Sequence, residues 1–161
     1  MENVAWSPDG TRLASGSGYR GTGELFVWDA RSGERLYSLS ESSEVVNELA
    51  WGPTGAVLVS GGSDGMLHWW DLQHGECVRV LKGHQGAVQS LKRSPDGRLL
   101  ASCGDDGAIQ VWDLASGERV RTLRRDRPYE RLNISGVQGL SEAQRGSLRA
   151  LGAIEDDIRA S

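Results

Sequence analysis

The side chains with chemistry to offer are few: three imidazoles, at His68, His74 and His84, and two thiols, at Cys77 and Cys103. Neither cysteine has a CxxC partner or a His cluster near it, so both read as small buried thiols rather than metal ligands or a disulfide framework. Gly61-Gly62-Ser63-Asp64-Gly65 fits the G-x-S-x-G pattern of a hydrolytic serine. That chemistry needs a strand-to-helix turn to expose the hydroxyl, and Met66 to Trp70 instead reads as a strand. Gly16-Ser17-Gly18-Tyr19-Arg20-Gly21 fits the G-x-G-x-x-G of a dinucleotide cradle. A phosphate there would need a helix N-terminus after the last glycine, but Glu24-Leu25-Phe26-Val27-Trp28 follows. Both matches read as chance hits on glycine-rich turns. Asn133-Ile134-Ser135 has the form of a glycosylation acceptor, yet no secretory signal accompanies it. No metal and no cofactor is expected.

The elements that carry these residues are short strands. Glycine contributes 22 of 161 residues, and six of the ten aromatic residues are tryptophan, which fits many strands joined by tight turns. A net charge of −4 lacks the basic stripe that displaces counterions from nucleic acid. No run approaches the 18 or so apolar residues of a membrane span, and Met1 to Gly10 has no basic, then apolar, leader. A cytoplasmic protein without nucleic-acid or membrane partners is expected.

The chain repeats itself. Trp28-Asp29, Trp70-Asp71 and Trp112-Asp113 recur 42 residues apart, within the range of about 40 to 45 for four-stranded units. Trp6-Ser-Pro-Asp-Gly10, Trp51-Gly-Pro-Thr-Gly55 and Arg93-Ser-Pro-Asp-Gly97 keep step, as do Ser32-Gly33-Glu34, His74-Gly75-Glu76 and Ser116-Gly117-Glu118. The first interval is 45 because of three extra residues around Tyr19-Arg20-Gly21, expected to stay in a loop. Within a unit, Pro presets φ and Gly closes the first hairpin, and an Asp-Gly turn closes the second. The repeats are placed at 2–39, 45–81 and 83–123. Residues 124–161 form a tail with a helix around 142–151, started by the capping box Ser141-Glu142-Ala143-Gln144 and striped by Leu140, Leu148 and Leu151.

Gly83-His84, the Asp-Gly turn and the Trp-Asp strand end resemble the WD-repeat family of β-propellers. The resemblance implies an all-β fold, a partial propeller of three four-stranded antiparallel blades with a short C-terminal helix. The tail is similar to the segment closing the last repeat in bacterial multidomain signalling proteins. The family also implies a hydrogen-bonded tetrad of His, Ser, Asp and Trp in each blade. The third repeat has all four, His84, Ser102, Asp106 and Trp112. The second has Ser60, Asp64 and Trp70, with Ser42 where His is expected; the first has Ser15 and Trp28. A Ser, a His and an Asp in one network invite a hydrolase reading. A serine buried between strands and bonded to an indole has no access to substrate, so no catalytic residue is assigned.

The reading is therefore a non-catalytic protein-interaction scaffold or sensor, the C-terminal part of a larger regulator. In WD proteins partners meet the ends of the innermost strands and the turn before the tetrad Asp. This selects Ser43, Val45, Ser63, Gln85, Ala87 and Asp105, with Tyr19 and Arg20 added from the insertion. Lys92-Arg93 stands where Ala5-Trp6 and Ala50-Trp51 stand, putting charge at a blade rim or against an atypical neighbour. Trp69 is expected to pack between blades. Three blades cannot close a ring of the usual four to eight. Further blades before Met1 are the expectation, with a homo-oligomer that pairs open ends, or an enzyme on a propeller face, as alternatives.

Overall fold

The structure, a computed structural model, describes residues 3–19, 22–39, 45–124, 132–135 and 137–153, and for Tyr19 and Thr22 only the backbone. It divides into two compact units, 1–124 and 125–161.

The first unit holds three antiparallel sheets of four strands, paired in chain order. They are β1 (Asn3–Trp6), β2 (Arg12–Tyr19), β3 (Thr22–Asp29) and β4 (Arg35–Ser38); β5 (Val46–Trp51), β6 (Val57–Gly62), β7 (Met66–Asp71) and β8 (Glu76–Lys82); and β9 (Val88–Arg93), β10 (Leu99–Gly104), β11 (Ala108–Asp113) and β12 (Arg119–Arg124). The fold is thus an all-β partial propeller of three blades. In the third blade Gly97, at φ +75°, closes the Ser-Pro-Asp-Gly turn and its N–H donates to the Ser94 carbonyl at 2.9 Å. A bulge interrupts each β3/β4-type pair just ahead of the Trp-Asp. The Asp that follows ties down the next turn: Asp29 Oδ1 accepts from the Ser32 N–H and Asp113 Oδ1 from the Ser116 N–H, both at 2.7 Å.

Two sequence expectations are corrected here. The insertion does not leave the strands alone: β2 and β3 pair out to Tyr19↔Thr22, two residues longer each than β6 and β7. A long ladder satisfies more backbone groups than a flexible loop would, so the extra residues join it. Gly16, Gly18, Gly61 and Gly62 are not turn residues either, but lie inside β2 and β6.

The innermost strands β5 and β9 each pack on the preceding blade. One seam joins Ala14, Leu25, Val27 and Leu39 of the first blade to Val46, Leu49, Trp51 and Leu58 of the second. The next joins Val59, Leu67 and Trp69 to Val88, Leu91 and Leu100. The strand glycines make this approach possible, because a Cβ at Gly16 would stand 2.5 Å from Val46 Cγ1, and one at Gly61 2.6 Å from Val88 Cγ1. Indoles lock the seams: Trp51 Nε1 donates to the Ala5 carbonyl at 2.9 Å and Trp69 Nε1 to the Leu114 carbonyl at 3.2 Å. Trp69 is buried edge-on to Trp112. Lys92 and Arg93 are exposed.

In the second unit, α1 (Glu142–Ala150) begins with a closed capping box: Gln144 N–H donates to Ser141 Oγ at 3.3 Å and Ser141 N–H to Gln144 Oε1 at 2.9 Å. Leu140 and Leu148 line a shallow hollow with Ala143. No described helix is long and apolar enough to cross a membrane.

Candidate functional site

The loop into β9 brings His84 against the β10–β11 hairpin. Its imidazole is buried, with Nε2 2.8 Å from Ser102 Oγ and Nδ1 2.9 Å from Asp106 Oδ1. Trp112 Nε1 donates to the same Ser102 oxygen at 2.9 Å. An ionised Asp106 only accepts, so Nδ1 carries the proton, Nε2 accepts from the Ser102 hydroxyl, and the chain runs Trp112 to Ser102 to His84 to Asp106. Burial pushes the Asp106 carboxyl up, but bonds from His84 and from the Gln85 and Ala108 N–H groups outweigh it and hold the acid below the usual carboxylate range.

The order of groups is that of a Ser-His-Asp triad, but the environment is not. Ser102 is 1% exposed and its oxygen already accepts from an indole. No face is left for a substrate carbonyl or an oxyanion donor. The reduced sets keep the same inner bond: Trp70 Nε1 to Ser60 Oγ and Trp28 Nε1 to Ser15 Oγ, each 2.9 Å. Asp64 Oδ1 accepts from the Met66 N–H at 2.9 Å. Ser42 lies outside the described residues.

The second group of candidates gathers at one rim. Ser63 N–H donates to the Val45 carbonyl, and Asp105 N–H to the Ala87 carbonyl, each at 3.0 Å, so equivalent pairs from two blades line up. Asp105 is exposed but held: Oδ2 accepts from the Ala87 N–H at 3.1 Å and Oδ1 from Gln89 Nε2 at 2.7 Å. Gln85 is exposed beside them with its N–H on Asp106 Oδ2. Val45 is half-buried and presses on Gly18, where an added Cβ would meet its Cα at 2.7 Å. Arg20 and Ser43 lie outside the described residues, as does the side chain of Tyr19.

The residues that the sequence reading missed are the seam devices. The signal was present: aligned on the repeat, Gly16 and Gly61 share one register, and Val46 and Val88 another. Among the described residues no group of three His, Cys, Asp or Glu side chains could hold a metal ion.

The chain matches two family models, "WD domain, G-beta repeat" over residues 2–29 and 75–113, and "Anaphase-promoting complex subunit 4 WD40 domain" over 19–89. It is also similar to the U5 small nuclear ribonucleoprotein 40 kDa protein. Over 64 residues it is 40% identical to the human and mouse proteins and 39% to that of Pongo abelii. The aligned stretch is 40% of this chain, and the chain spans 17% of the length of those relatives. Together the two models span residues 2–113, most of the stretch that folds as three four-stranded antiparallel sheets, so that stretch is similar to WD40 repeats in sequence and in strand order.

Proposed function

We propose that the chain is a non-catalytic protein-interaction scaffold or sensor within a larger regulatory or signalling protein. The observation that carries this reading is the burial of the one complete Ser-His-Asp set among the described residues, whose bonds tie the strands and the loop before them together. What the blades offer to solvent is a rim of turns with ordered polar groups, Gln85, Asp105 and Ser63, the form of surface that binds protein. The WD40 matches support the same reading. The ribonucleoprotein relatives, by their name, are subunits of an assembly, which fits a protein partner here. The likeness of the tail to bacterial signalling proteins and a cytoplasmic setting belong to the proposal as well.

The partner face is assigned to Val45, Ser63, Gln85, Ala87 and Asp105, joined by Tyr19, Arg20 and Ser43. Tyr and Arg are frequent interface hot spots. Affinity capture from the native host, comparing the wild type with Gln85→Ala/Asp105→Ala and with Tyr19→Ala/Arg20→Ala, tests it. Loss of the same partners in both variants is expected. Unchanged recovery in both places the face elsewhere.

A further inference from the structure

The two seams share a glycine notch, Gly16 against Val46 and Gly61 against Val88, but differ toward the other end of the strands. In the first seam Arg12 fills the space beside the β5–β6 turn. Its Nη2 donates to the Gly55 carbonyl at 2.7 Å, and its guanidinium lies 5.1 Å from the Trp51 ring centre. Asp9 stands close enough to feel that charge. In the second seam Val57 has the register of Arg12, Thr54 that of Asp9 and Arg93 that of Trp51. The indole has moved to the opposite wall, as Trp69 in the register of Val27, and it reaches inward to the Leu114 carbonyl. The shorter Val57 leaves a groove of about 290 Å³, walled by Pro53, Val57, Leu114 and Ala115.

Two guanidinium groups stand at this groove. Arg98, in the register of Ala56, lines it. Arg93 Nη1 lies 3.2 Å from where a Cβ on Gly97, another lining residue, would be. Both arginines are exposed, and the ion pairs within 4 Å among the described residues are those of His74 and His84. The neighbouring carboxylates serve their own turns. Asp113 Oδ1 accepts from the Ala115 and Ser116 N–H groups, and Asp96, which also feels the Arg98 charge, accepts from Ser94 Oγ and the Arg98 N–H.

We propose that the groove binds an acidic segment of a partner protein. One bulky apolar side chain of that segment sits against Pro53, Val57 and Leu114, and its flanking carboxylates pair with Arg93 and Arg98. The volume is at the small end of ligand pockets and holds one large side chain rather than a free small molecule. An apolar hollow with guanidinium at its margin joins burial to bidentate carboxylate recognition. The first seam shows that the fold does not require the opening, since Arg12 closes the same place and Asp9 answers its charge within the chain. In the second seam two cations stand where there was one and Thr54 has replaced the acid, so the complementary carboxylates come from the partner. The groove opens at the strand ends opposite the rim of Ser63, Gln85 and Asp105. It is a second surface and does not rest on that face.

Selection of a random heptapeptide display library on the whole chain should enrich sequences with an aromatic or leucine side chain next to Asp or Glu. By fluorescence anisotropy, a peptide so selected should lose about tenfold or more in affinity for Arg98→Glu, and for Thr54→Asp, which restores the acid of the first seam. Both positions are exposed, so both variants keep the wild-type circular dichroism. Alanine in place of the peptide's apolar residue should cost as much. Lysine in place of its acid should weaken binding to the wild type and restore binding to Arg98→Glu. Enrichment of nothing or of sequences without an acid, affinity indifferent to both substitutions, or no rescue by the lysine peptide would overturn the proposal. Loss of affinity in Gln85→Ala/Asp105→Ala instead would put the peptide on the rim and overturn it as well, while leaving the rim reading intact.

Discussion

At Asp106 three donors converge on one carboxylate, from His84, Gln85 and Ala108, whereas the Asp64 carboxylate accepts from the Met66 N–H and has no imidazole on it among the described residues. Removing Asp106 strands a buried imidazole N–H, and a buried donor without an acceptor costs about 1 to 3 kcal/mol. Asp106→Ala should therefore lower stability by that amount in a denaturant titration, and Asp64→Ala by clearly less. Equal losses would contradict the network drawn here. The surface aspartates make a second prediction, about pH. Bonds from Ser7 and Thr11 hold Asp9 at about 2 against an ordinary 3.8. Asp29 and Asp113 are lowered by their turn N–H groups, and Asp71 by His74. A carboxyl with a depressed folded pKa stabilises above its unfolded value and loses that effect as the pH falls through the folded one. The melting temperature should hold just above pH 3.8 and decline between there and about 2. His74, raised by Asp71, contributes in the opposite sense: its effect is complete below its ordinary 6.5 and fades as the pH rises through the folded value. A melting temperature that stays flat down to pH 2 would show these turn bonds to be irrelevant.

Strands and turns were legible in the sequence where one residue type has one conformational use. Asp-Gly and Pro-Asp-Gly turns announced hairpins, Trp-Asp set the period, and Ser141 to Gln144 announced α1. What escaped reading depends on a neighbour one repeat away. Gly16 looks like part of a turn because its local sequence is Gly-rich, yet its reason is the Val46 side chain, thirty residues on, pressed against it. The insertion likewise reads as a loop until its ends are seen to continue the β2–β3 ladder. The four tetrad members came from the family resemblance, whereas the burial of Ser102 is a property of the packed blade. The notch makes its own prediction. Gly61→Ala drives a Cβ into Val88 and should destabilise by about 1 to 3 kcal/mol. Val88→Ala also costs stability, but the double variant should be more stable than the sum by about 0.5 kcal/mol or more, the sign of a direct contact. Strict additivity in the double-mutant cycle would mean that the strands can separate at no cost.

For the array as a whole, stability is close to a sum of blade terms and seam terms. The second blade has a seam on each side, and β6 is buried along nearly its whole length. The third has the complete tetrad, from which the sequence alone would make it the most rigid blade. Among the described residues it has one seam, however, and all six residues of β12 are exposed. A tetrad adds a few hydrogen bonds at roughly 0.5 to 1.5 kcal/mol each. A seam buries several large side chains at about 1.5 to 3 kcal/mol apiece, so coverage outweighs the network. Amide exchange resolves the two, because protection reports local opening. The slowest amides should lie in β6 and β7, those of β10 and β11 should be intermediate, and those of β12 should exchange first. Slowest exchange in β10 and β11 would mean that the His84 network, rather than burial between neighbours, sets the order in which the blades open.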